Sequence, residues 1–113
     1  MDIQQLIQES HATAVEKGWW QTDRPFLEQL MLWVTEISEA AEEWRVHGMD
    51  KSKMIYYDAD SPEKPLGIAI EIADLLIRAS DTCGKYDIPL VEALKLKLAY
   101  NKTRPHRHGG KLA

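Results

Sequence analysis

Apolar residues along this 113-residue chain recur every three or four positions over most of its length, the spacing of α-helices with one oily face. The first such segment runs from about Ile3 to Lys17. Ile3, Leu6, Ile7, Ala14 and Val15 hold the spacing, and Gly18 ends it. The stretch "WWQTDRPF" then reads as a turn, with Asp23 placed to cap a second helix and Pro25 suited to its first turn. That helix spans about Phe26 to His47. Its Leu27, Leu30, Val34, Ile37, Ala41 and Trp44 form a stripe expected to be buried, and Gly48 stops it. Residues 48–67 are long for a structureless connection and are expected to hold a short helix or to form a mobile cover.

A third helix is expected from about Leu66 to Cys83. Ile68, Ile70, Ile72, Ala73, Leu75, Leu76 and Ile77 leave little of its circumference polar, so it needs covering on several sides. One chain of this length has few helices to do that, which predicts a homo-oligomer, a dimer or a tetramer. The turn "GKYDIP" follows, with Asp87 as a cap, and a fourth helix runs from about Pro89 to Lys102. Its "LKLKLAY" alternates like a strand, yet Leu90, Val91, Leu94 and Leu98 also fit a helical stripe, and the helical surroundings decide it. Pro105, Gly109 and Gly110 break the tail. The expectation is an all-α single domain over residues 1–113: a four-helix bundle completed by oligomerisation, with residues 103–113 a basic tail.

Composition narrows the class. At 44% apolar and 28% charged the chain reads as an ordinary globular domain, and no apolar run approaches the roughly 20 residues of a membrane span. The start "MDIQQLIQES" is unlike an export signal, and the one cysteine, Cys83, suits a reducing compartment, so a soluble cytoplasmic protein is expected. The net charge of −4 hides an asymmetry: residues 1–94 carry all 18 acids, while residues 95–113 carry 6 of the 14 Lys and Arg and no acid. An acidic body with a basic tail suits holding cations and phosphates. It speaks against a duplex nucleic-acid partner, whose binders carry a basic face across the domain.

The acids themselves are patterned. Glu36 and Glu39 sit three apart on the second helix, as Glu71 and Asp74 do on the third, so each pair shares one helix face. Taken singly, either pair fits a solvated strip; Glu71, Asp74, Arg78 and Asp81 even form a regular polar line. Facing one another across two antiparallel helices, the four become a cluster of hard oxygen ligands. Such a cluster favours Mg²⁺, with Mn²⁺ as a substitute, over zinc or copper, and it lacks the Glu-x-x-His of di-iron bundles.

At "EISEAAEEW" and "EIADLLIR" the sequence resembles the MazG-like, all-α nucleoside triphosphate pyrophosphohydrolases, whose signature is a Glu-x-x-Glu helix followed by a Glu-x-x-Asp helix. The likeness runs over nearly the whole chain and is greatest to the dCTP pyrophosphatase branch: "HATAVEKGWW" is similar to its first helix and "KLAYNKTRP" to its closing segment. The resemblance implies Mg²⁺ held by Glu36, Glu39, Glu71 and Asp74, and hydrolysis between the α and β phosphates of a nucleoside triphosphate. The products would be the monophosphate and pyrophosphate, a house-cleaning activity on the nucleotide pool. It implies that Lys97 and Arg104 neutralise phosphate charge, that Asn101 bonds phosphate or sugar, that Trp20 stacks on the base and that His11 contacts sugar or base. Three positions depart from the family pattern: Thr35 where many members have an extra acid, Val46 where the branch has an aromatic, and Pro105 where it has a tyrosine. The residues of the metal site are intact, while those around the base differ.

Two other classes fit parts of the pattern. One is a non-catalytic helical oligomer with solvated acids. The other is a single-stranded nucleic-acid binder working through Tyr100, His106, Arg107 and Lys111.

Overall fold

The structure, a computed structural model, describes residues 1–113. All of its regular elements are helical: α1 (Ile3–Glu16), α2 (Phe26–His47), α3 (Ile68–Tyr86) and α4 (Leu90–Thr103), with a 3-10 turn at Lys51–Lys53 and a last kinked turn at Arg107–Gly110. None is long and apolar enough to cross a membrane. The all-α expectation and the four main helices hold, with boundaries moved by up to three residues.

The helix ends obey local chemistry that the sequence reading placed differently. Asp2 caps α1 by accepting from the Gln5 backbone N–H while the Gln5 side chain bonds back to Asp2 N, a reciprocal pair. Asp23 caps nothing; Pro25 occupies the cap position of α2 with no side-chain bond. Asp87 closes α3 instead of opening α4: it takes the left-handed conformation (φ 53°, ψ 43°), and its N–H reaches the Cys83 carbonyl. The connection at residues 48–67 is ordered by an antiparallel bridge, in which Tyr56 and Leu66 exchange two backbone hydrogen bonds of 2.8 Å. The Tyr56 hydroxyl also donates to the Glu43 carboxylate at 3.1 Å, tying the connection to α2. Gly67 is required where that strand-like pair meets α3. Its φ is 122°, and a Cβ there would overlap the Met54 carbonyl.

Packing is uneven. α3 lies between α1 and α2 and packs against both, whereas α4 makes no comparable pairing. A close approach of α1 and α3 occurs at Gly84, where a Cβ would sit 2.7 Å from the Cβ of His11. The radius of gyration is 16.9 Å, against about 13 Å for a compact chain of this length. The accessible surface, 8652 Å², likewise exceeds the roughly 6,300 Å² expected from mass.

Few side chains are fully covered, and most of those are polar. Buried side chains are Ser10, Gln29, Glu36, Ser80 and Thr82, and among apolar ones only Ile7 and Cys83. The stripe expected to be buried on α2 is not buried within the chain: Leu27 is 66% exposed, Trp44 55% and Ile37 54%. The face that meets α3 instead carries Gln29 and Glu36, seven residues and two turns apart. Helical periodicity finds an apolar face but does not say what covers it. The oily circumference of α3 is half satisfied, since Ile72, Leu76 and Ile77 remain exposed beside α1 and α2.

Candidate metal centre

The antiparallel crossing of α2 and α3 brings Glu36, Glu71 and Asp74 together, with one carboxylate oxygen of each within 4.8 Å of the others. Glu36 is 5% exposed. Its Oε2 and the Oε2 of Glu71 are buried with no hydrogen-bond partner. A buried carboxylate oxygen without a donor is costly unless a cation meets it. Three converging carboxylates, two of which carry an orphaned buried oxygen, fit a divalent cation, and Mg²⁺ suits an all-carboxylate set. Glu39, the fourth expected ligand, lies on the same side beside Glu71 but is solvent-exposed and outside this tight group.

The electrostatics follow from this crowding. Burial pushes Glu71 up to about 7, with Glu39, Asp74 and Glu36 adding to the rise. Burial also lifts Asp74, reinforced by Glu36 and opposed by Arg78. Arg78, one turn beyond Asp74 on α3, is the only base bonded to the cluster: its Nε donates to Glu36 Oε1 at 2.6 Å. The sequence shows Arg78 in the polar line but not that it grips the buried acid.

The second group of predicted residues meets around Asp81. The Trp20 indole N–H donates to Asp81 Oδ1 at 2.9 Å, and His11 Nδ1 lies 2.9 Å from the same oxygen. His11 and Trp20 are thus brought together, edge to face at 6.3 Å between ring centroids. Trp20 is hemmed in by Tyr86, by Lys85 at 5.3 Å from its ring centre and by Arg24 at 5.9 Å. A cavity of about 510 Å³ runs from Glu36 and Asp74 to Asp81 between α1, α2 and α3, and it is Trp19, not Trp20, that lines it. Adjacent tryptophans in a turn give no sequence signal for which one faces in.

Lys97, Asn101 and Arg104 are not brought to the carboxylates. They lie on or at the end of α4, with the Lys97 and Arg104 cations 5.1 and 5.5 Å from the Tyr100 ring centre, and no ion pair joins them to an acid. Within one chain, the acidic centre and the basic helix are separate.

No family model, no curated protein and no solved structure matches this chain.

Proposed function

We propose that the protein is a Mg²⁺-dependent nucleoside triphosphate pyrophosphohydrolase. The observation that carries the reading is the convergence of Glu36, Glu71 and Asp74 with two buried oxygens unpartnered. Those three carboxylates, with Glu39 beside them, would hold the ion. When bound, Mg²⁺ supplies charge neutralisation at the phosphates and an acidified water. The chain's own residues do the rest. Arg78 fixes the Glu36 carboxylate through the 2.6 Å bond. One carboxylate of this group takes the proton of the water that attacks the α-phosphorus. The α–β bridging bond breaks, and pyrophosphate leaves.

Arg78, the one base bonded to the cluster, is committed to Glu36, so the phosphates need further cations. We assign these to Lys97 and Arg104 of a second copy, with Asn101 alongside. The exposed Leu27, Ile37 and Trp44 on α2 and the exposed Leu96 and Leu98 on α4 suit such an assembly, a homodimer or homotetramer. Acidic body against basic α4 is also the favourable charge pairing.

A panel of NTPs and dNTPs with Mg²⁺, scored for pyrophosphate against orthophosphate, tests this. Pyrophosphate and monophosphate are expected, lost in Asp74→Ala while the helical circular dichroism remains. Orthophosphate as the main product, or full turnover by Asp74→Ala, overturns it. The two cations over Tyr100 also favour a second reading, single-stranded nucleic-acid binding. It predicts salt-sensitive oligonucleotide binding indifferent to Asp74→Ala.

A further inference from the structure

Gln29 is 4% exposed on the face of α2 that meets α3, and it lines the cavity that leads from the carboxylates. Its Nε2 is buried with no hydrogen-bond partner. A buried amide without a partner costs free energy that the same side chain on an exposed helix face would avoid. Asp81 lines the same cavity. Its Oδ1 accepts from both His11 and Trp20, which leaves Oδ2 as the acceptor without a side-chain donor. One wall of the cavity therefore offers a donor, and another a fixed anion.

We infer that Gln29 and Asp81 are the specificity-determining pair of this site: they read the hydrogen-bonding edge of a nucleobase. The buried amide takes a carbonyl or ring-nitrogen acceptor, and the carboxylate takes an N–H. The inference rests on the nucleotide reading proposed above and adds to it the residues that choose the substrate.

Two observations place a base here rather than more phosphate. Gln29 lies seven residues before Glu36, two helical turns or about 10 Å along the axis. That is about the span between the α-phosphate of a nucleotide and the far edge of its base. The Asp81 carboxylate repels a phosphate but suits an N–H. Of the cations on the cavity wall, Arg78 is bonded to Glu36, and Arg24 is engaged: its Nε is 3.3 Å from Glu28, and its guanidinium lies 5.5 Å from the Trp19 ring centre, while Lys17 carries no ion pair. The exposed Trp19 ring at the cavity wall is the aromatic surface available to the base.

The test is binding of α,β-methylene nucleoside triphosphates, which resist cleavage, with Mg²⁺, read by calorimetry. Ribose 5-triphosphate, which has no base, is the comparison. Wild type should bind its best nucleotide well above the baseless triphosphate. Gln29→Leu should weaken that nucleotide roughly tenfold or more and leave ribose 5-triphosphate unchanged. Gln29→Glu replaces the donor with an acceptor in the same shape. It should reverse the ranking toward bases that present an amino group, which keeps the test sharp if the leucine variant folds poorly. Equal weakening of both ligands in Gln29→Leu would mean that the amide touches phosphate, and no change in either would mean that it holds only water. Each of those overturns the inference while leaving the pyrophosphohydrolase reading intact. A wild type that binds neither ligand overturns both.

Discussion

The carboxylate trio should make the protein less stable on its own and more stable with metal, and Glu71→Gln separates the two effects. Glu71 is held at about 7 against an ordinary 4.5, so the folded chain retains a proton there that the unfolded chain has lost. The native state binds more protons between those values. This group's contribution to the stability of the metal-free protein is therefore greatest below about 4.5, falls as the pH rises towards 7, and levels off above it. Converted in full, the difference is about 3.4 kcal/mol, but solvent reaches this half-buried group, and about 1 kcal/mol is the fair expectation. Glutamine keeps the shape and removes the charge. At about pH 8 in EDTA, Glu71→Gln should melt roughly 3–6 °C above wild type. With excess Mg²⁺ the order reverses, because wild type gains binding free energy and the variant gains little. Parallel thermal melts with and without Mg²⁺ measure both. The reasoning fails if Glu71→Gln melts below wild type in EDTA, or gains as much from Mg²⁺.

Other expectations follow from single contacts. Arg78→Met leaves the buried Glu36 carboxylate unpaired and should cost about 1–3 kcal/mol in EDTA, much of it recovered with Mg²⁺; equal loss in both denaturation curves would show that Arg78 matters only for packing. Gly84→Ala puts a methyl 2.7 Å from the His11 Cβ, forcing α1 away from α3 at a cost of about 1–3 kcal/mol, and an unchanged melting temperature would contradict that crossing. Trp44→Glu charges the exposed α2 face and should reduce the mass seen by light scattering and the turnover together; an unchanged mass would remove that face from the proposed assembly.

Much of this was legible in the sequence, for identifiable reasons. Helical spacing gave α1 to α4, and the paired acids on α2 and α3 gave the centre, because residues three apart must share a face. Periodicity does not tell a face covered by the same chain from one left open, so it marks Leu27, Ile37 and Trp44 as buried where the structure leaves them exposed. Asp23 and Asp87 look alike as caps in sequence; only the backbone angles at Asp87 show that it ends a helix. Gln29 carries no sequence signal, and Arg78 and Asp81 show only as members of a polar line, since a polar residue at helical spacing reads as solvated until the opposite helix is known.

A chain whose only fully covered apolar side chains are Ile7 and Cys83 withdraws less hydrocarbon from water when it folds alone than a compact domain of its length does. Its heat-capacity increment on unfolding should be small for its length, its stability nearly level with temperature, and its denaturant slope shallow. A calorimetric trace of the isolated chain would be broad, and its sharpening with protein concentration would measure what the uncovered faces contribute.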